Sequence, residues 1–236
     1  MVNIQQLTAG YSGKDVIRGF SLSVTEGDIV FLLGRNGSGK TTFIKSLCSE
    51  IPYLGKIEVA GTDIKQLKPK VRAGLIANLP QLTQTNFDIS VLELVIAGKF
   101  HQKKLLEDYS KTDEAEAVAA IKALEFSKPE QSILTLSGGE QQMIWLAQVS
   151  MQNTPLIVLD EPTQHLDLFY KKQVFNQLKT WVNQGKTIIV STHDIQYLSQ
   201  FPMAKLLFFK KYETPVLYSN NPENLDFIIK SIEQGS

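Results

Sequence analysis

Ile29-Val30-Phe31-Leu32-Leu33-Gly34-Arg35-Asn36-Gly37-Ser38-Gly39-Lys40-Thr41 is the stretch on which the fold of this chain turns. Its first five residues are an unbroken apolar run, the pattern of a strand buried on both faces in a mostly parallel sheet. The next eight fit G-x-x-x-x-G-K-[ST] at every fixed position, after that strand and before a helix expected over 41–50. The glycines allow successive backbone N–H groups of Gly34, Asn36, Gly37, Ser38 and Gly39 to curl round the β-phosphate of a nucleotide. Lys40 brings a point charge to the β and γ oxygens and Thr41 a hydroxyl for Mg²⁺. With Thr42 the chain enters a helix whose positive dipole end faces the anion.

Upstream, Ile4, Leu7, Val16, Ile17, Phe20, Leu22 and Val24 are spaced as strands broken by Gly10, Gly13, Gly19 and Gly27, and predict a small antiparallel sheet. Downstream, a short strand is expected over 56–60 and another over 74–79. Residues 82–152 change character and read as a helical insert. Within it Thr112, followed by Asp113 and Glu114, reads as an N-cap, and Val118, Ile121 and Leu124 form a stripe. Leu156-Ile157-Val158-Leu159 and Thr187-Ile188-Ile189-Val190 are buried-strand runs again. A helix with Leu166, Tyr170, Val174, Leu178 and Val182 on one face separates them, which implies a right-handed parallel crossover. Two weaker strands (206–209, 215–218) and a last helix from about 223 close the chain. The sequence thus predicts one α/β domain over 1–236: a P-loop NTPase core with a mostly parallel sheet, an N-terminal antiparallel β part (about 1–28 and 56–66) and the helical insert.

Asp160 closes the Leu156 run and so sits at the carboxyl edge of the sheet, where the phosphates lie; it is the expected second Mg²⁺ anchor. Glu161 follows at once. Neighbouring side chains point differently, so one carboxylate can serve the metal while the other faces attacking water as general base. Leu136-Ser137-Gly138-Gly139-Glu140 then opens a helix expected over 140–152, a second anion-binding helix start in one chain. One nucleotide needs one phosphate loop, so the second site suggests contact with the γ-phosphate held by another subunit.

At this point the sequence resembles the ATP-binding-cassette family, whose signature reads LSGGQ or LSGGE. The resemblance covers essentially the whole chain and implies further roles. Gln81, after Leu79-Pro80, resembles the Q-loop glutamine that contacts Mg²⁺ or water. His193 in Ser191-Thr192-His193-Asp194 resembles the switch histidine that holds the γ-phosphate. Asp167 in Gln164-His165-Leu166-Asp167 resembles the D-loop aspartate that reaches across the dimer, and Tyr11 fits the aromatic that stacks on adenine. The family pattern implies a homodimer with ATP held between the phosphate loop of one copy and Ser137, Gly138 and Gly139 of the other. Hydrolysis with Glu161 as base and Mg²⁺ neutralising charge would part the halves, and the motion would pass to partners through the insert.

The run 71–81 followed by 90–101 resembles the subfamily that powers uptake of iron-siderophores, haem and cobalamin. That likeness implies integral-membrane permease subunits, an extracytoplasmic solute-binding protein and a place on the cytoplasmic face of the membrane. Arg35 departs from the usual Pro, and Met143 stands where the family commonly has Arg, with Trp145 just after, which puts in doubt the usual polar contacts beneath the signature helix.

Composition agrees with an ordinary globular protein: 236 residues, 24 Lys+Arg against 24 Asp+Glu, 43% hydrophobic and 20% charged. With no basic excess or basic stripe, no nucleic acid is expected as partner. An alternative, a soluble cassette ATPase acting on nucleic acid or cofactor assembly, also lacks the long coiled-coil insert and tandem cassettes such proteins carry. Cys48 is the one cysteine, a buried filler by expectation, so no disulfide or Cys-based metal site is expected. The first residues predict no secretory signal, and no run reaches the roughly 18 apolar residues a spanning helix needs. His101 and His165 read as surface or interface residues. The pairs Lys103-Lys104, Lys171-Lys172 and Lys210-Lys211 read as solvated faces.

Overall fold

The computed structural model describes residues 1–81, 87–104 and 107–234. Strand β1 (Val2–Tyr11) turns into β2 (Lys14–Val24) through Ser12 and Gly13, both at positive φ (51° and 77°), the mirror-image turn whose twist suits a tight hairpin. After β3 (Ile29–Gly34) and helix α1 (Lys40–Leu47), strands β4 (Tyr53–Val59) and β5 (Thr62–Asp63) complete an antiparallel sheet in the order β2-β1-β4-β5. Alternation along β1 slips: Val2 and Ile4 are buried, then Leu7 and Ala9, because a register shift with Gln6 at φ 51° inserts one residue between them. The same irregularity moves the β4 boundary. It begins at Tyr53, earlier than expected, and Gly55 lies inside it, where a Cβ would stand 2.4 Å from the carbonyls of Gln5 and Gln6.

The chain continues through α2 (Pro69–Ala73), β6 (Ile76–Leu79), α3 (Val91–Ile96), α4 (Lys111–Ala123), α5 (Gly138–Gln152), β7 (Leu156–Leu159), α6 (Leu168–Asn183), β8 (Thr187–Ser191), β9 (Lys205–Phe209), β10 (Val216–Ser219) and α7 (Pro222–Gln234). The second sheet runs β10-β9-β3-β8-β7-β6, parallel apart from the β10–β9 pair. Every residue of β3, β7 and β8 is buried, as unbroken apolar runs require. The expected start of the insert falls at residues 82–86, outside the described residues; α3, α4 and α5 form its described part.

Two helix expectations are corrected. Ser110, not Thr112, caps α4: its Oγ accepts from the Asp113 N–H and the Asp113 carboxylate accepts from the Ser110 N–H, whereas the residue three beyond Thr112 is Ala115, with nothing to return the bond. The buried face of α4 is accordingly Asp113, Ala117 and Ile121, with Val118 half-buried. Leu166 precedes α6, because the Asp167 side chain accepts from the Tyr170 N–H and starts the helix there; Val174, Phe175, Leu178 and Trp181 make its buried face.

The lysine pairs are also not all solvated. Lys103 and Lys99 both reach the Asp113 carboxylate, at 2.6 and 2.8 Å, and Lys171 reaches Asp194 at 2.6 Å. Lys103, then Lys99 and the Ser110 donors, hold the Asp113 carboxyl far below the usual range. His101 is half-buried. Met143 is 3% exposed in an apolar cluster, so no polar partner is needed where the family has Arg. Cys48 is buried, and burial pushes its thiol up.

The central sheet separates two apolar cores, one towards α5 and α6, the other towards the antiparallel sheet. Phe43 on α1 ties the second together, fully buried with its ring 5.9 Å from Phe20 and 5.7 Å from Phe209. Phe43→Ala is expected to cost about 3–5 kcal/mol, read as a lower denaturant midpoint at unchanged m-value.

Candidate functional site

The phosphate-loop motif turns from β3 into α1 with Gly34, Gly37 and Gly39 at φ 145°, 76° and 115°. No side chain caps α1, whereas Ser90, Ser110, Ser137 and Asp167 each accept a bond at the starts of α3, α4, α5 and α6. The first N–H groups of α1 are thus left to an external acceptor, which a phosphate would supply. Lys40 is buried. Its ammonium lies 2.8 Å from the Gly34 carbonyl and 4.0 Å from the Glu161 carboxylate. Burial pushes its pKa down, and Glu161 and Asp160 oppose that shift.

The carboxylates come from the end of β7. Asp160 is buried and accepts from the Ser191 hydroxyl at 2.6 Å, while that same hydroxyl accepts from the Glu161 N–H at 2.8 Å. Ser191 therefore fixes both acids from the end of β8. Glu161 has φ 50°, a left-handed conformation that costs a non-glycine residue on the order of 1–2 kcal/mol. Its position is held by neighbours: His193 Nε2 is 3.0 Å from Oε1, and Gln81 Nε2 donates to Oε2 at 3.3 Å and to Gln164 at 2.9 Å.

The hydrogen bond from His193 lowers the Glu161 carboxyl pKa, with the charges of Lys40 and His165 adding and burial opposing. A depressed folded-state pKa means stability that is present above the unfolded value, about 4.3, and lost as pH falls through the folded one. His193→Ala is expected to move the Glu161 carboxyl upward, towards that ordinary value; ¹³C NMR titration of the carboxyl carbon checks it.

Glu161 lines a cavity of about 490 Å³ with Tyr11, Val16, Asn36, Gly37, Gly39, Lys40, Thr41, Thr42 and Gln81. Ser137, Gly138, Gly139, Asp167 and His193 are not among its walls. Ser137 opens α5, bonded reciprocally to Glu140, whose carboxylate accepts from the Ser137 N–H at 2.8 Å and its hydroxyl at 2.7 Å; the Tyr170 ring lies against Gly139. Among the described residues no group of three or more His, Cys, Asp or Glu could hold a metal ion. The oxygen donors of Thr41, Gln81 and Asp160 are of the hard kind that Mg²⁺ takes, with its remaining ligands from phosphate and water. The sequence reading gives Ser191, Val16 and Gln164 no role in the site; only Ser191, beside Thr192 and His193, carries a signal that points there.

Among the described residues no helix is long and apolar enough to cross a membrane. The ABC transporter family model matches residues 17–164. The achromobactin transport ATP-binding protein CbrD of Dickeya dadantii is 32% identical over 203 residues, 85% of this chain and 76% of that protein. The hemin import ATP-binding protein HmuV of Rhizobium etli is 31% identical over 209 residues, 85% of this chain and 78% of that one. A solved inward-facing ABC transporter, described as of the metal-chelate type, superposes with TM-score 0.81 at 25% identity over 97% of this chain and 88% of its own. With the fold and a nucleotide-sized cleft lined by its phosphate-loop motif, these matches make the chain a member of the ABC transporter family, an ATP-binding ATPase of that family.

Proposed function

We propose that this chain is the ATP-hydrolysing subunit of an importer for metal chelates of the iron-siderophore, haem or cobalamin type. It works as a head-to-tail pair on the cytoplasmic face of the membrane, bound to permease subunits that receive solute from an extracytoplasmic binding protein. The observation that carries the pairing is the division of the site: the walls of the Lys40–Glu161 cavity do not include Ser137, Gly138 and Gly139, which open α5 elsewhere on the chain, with Ser137 and Gly138 exposed. The solute class is supported by the achromobactin, hemin and metal-chelate descriptions of the relatives.

In this reading the N–H groups of Gly34, Asn36, Gly37, Ser38 and Gly39 cradle the phosphates, and Thr42 extends the cradle. Lys40 swings from the Gly34 carbonyl to the β and γ oxygens, and Tyr11 stacks on the adenine. Thr41, Gln81 and Asp160 would hold Mg²⁺, which when bound neutralises charge on those oxygens. Glu161 takes the proton of attacking water, and His193 steadies Glu161 and the γ-phosphate. Ser137, Gly138 and Gly139 of one copy close over the phosphate held by the other, with Asp167 reaching across. Purification of the tagged chain from its native membrane, with mass spectrometry of bound partners and uptake assays with ferric siderophores, haem and cobalamin, tests the reading. A multi-spanning permease and chelate uptake are expected; recovery without any membrane partner would contradict it.

A further inference from the structure

The phosphate loop is a wall between two cavities. Behind it, away from Lys40 and Glu161, lies a cavity of about 460 Å³ that shares only Asn36 with the nucleotide cleft. Arg35, Lys210 and Lys211 line it together with Ser38, Phe209 and Tyr212. Among the described residues none of the three cations has an ion-pair partner, and no Asp or Glu lines the cavity. The acid of the β9–β10 connection, Glu213, lines an adjoining depression with Asp15 and Arg18, which shares Tyr212 with this cavity.

The two ammonium groups lie over aromatic rings, Lys210 5.8 Å from Phe208 and Lys211 5.0 Å from the exposed Tyr212. At the floor, Ser38 is 6% exposed and its hydroxyl has no hydrogen-bond partner. That hydroxyl sits on this side of the loop, since a Cβ built on Gly34 would lie 2.8 Å from it and 2.4 Å from the Phe209 carbonyl. A buried hydroxyl without a partner is uncommon and calls for one.

We propose that this cavity is a second anion site, separate from the nucleotide cleft, that takes a small phosphoryl dianion. Three unpaired cations are more than a monoanion needs. The planar fork of Arg35 and the point charges of two lysines suit a tetrahedral oxyanion, with the Ser38 hydroxyl as donor beneath it. Such an ion would touch from behind the loop that cradles nucleotide in front. The ion can be free inorganic phosphate or the phosphoryl end of a phosphate monoester.

The test titrates the full chain calorimetrically with inorganic phosphate, glycerol 3-phosphate and acetate while saturating Mg²⁺ and a non-hydrolysable ATP analogue fill the cleft. A prior titration with the analogue alone reads the nucleotide assignment separately. One saturable phosphoryl site is expected, at least 10-fold tighter than acetate, weakened 10-fold or more in Lys210→Gln/Lys211→Gln and, independently, in Arg35→Gln. The lysine variant should bind the analogue as the wild type does, which shows it folded. Tighter phosphate assigns the free ion, and tighter glycerol 3-phosphate a monoester; both support the site. Absence of saturable binding with the cleft filled, equal binding of acetate, or variants that bind phosphate like the wild type would overturn it.

Discussion

Glu161→Gln is expected to lower ATP turnover by about 10²- to 10⁴-fold, the range a positioned general base contributes, while ATP binding persists. The amide keeps the size and can keep a hydrogen bond with His193, now 3.0 Å away, so the cleft retains its shape. It cannot accept a proton from water. One negative charge also leaves the neighbourhood of the buried Lys40 ammonium, 4.0 Å distant, which removes an attraction that holds the lysine back from phosphate oxygens. Binding should therefore be no weaker, and the ATP-bound pair should accumulate because its dissociation waits on hydrolysis. Gel filtration with ATP and Mg²⁺ reads the pair, and phosphate release reads turnover. A variant that hydrolyses at the wild-type rate would remove Glu161 from the chemistry.

Ser137→Arg is expected to abolish hydrolysis, by 100-fold or more, with ATP binding to the single chain unchanged. The residue is exposed and lies outside the Lys40–Glu161 cavity, so an Arg there meets no group of its own cleft. In a head-to-tail pair it would intrude between the signature helix and the other copy's nucleotide. The substitution also removes the α5 cap, worth about 0.5–2 kcal/mol. Ser137→Ala separates the two effects: it loses the same cap with no added bulk, and should keep much more turnover than the arginine variant at a similar melting temperature. Equal turnover by the two variants would mean that cap loss alone explains the defect.

Sequence carried the core of the fold because its signals are local. The apolar run of β3 and the glycines after it specify strand, turn and helix within a dozen or so residues, and all of β3 is buried. Of the residues lining the cavity, only Val16 escaped the sequence reading, being one apolar residue among many on β2. Errors arose where a local rule met a distant partner or an unusual dihedral. Thr112 has the local chemistry of a cap, but Asp113 returns its bond to Ser110. Lys103 looked solvated because its partner Asp113 belongs to another element. The slip in β1 rests on Gln6 at φ 51°, and the aim of Glu161 on φ 50°, neither of which a non-glycine residue advertises. In sequence Ser191 is only a neighbour of His193, yet its hydroxyl joins Asp160 to the Glu161 backbone.

In the proposed pair, ATP is hydrolysed in a site made by two copies. Mixing two inactive proteins tests it most directly: Lys40→Ala, defective in the phosphate loop, and Ser137→Arg, defective in the signature. In a head-to-tail pair of one of each, both defects fall in the same site and the other site is intact. The mixture is expected to hydrolyse ATP well above the sum of its components, rising to a maximum near equal proportions. A mixture as inactive as either protein alone, at every ratio, would contradict a shared site.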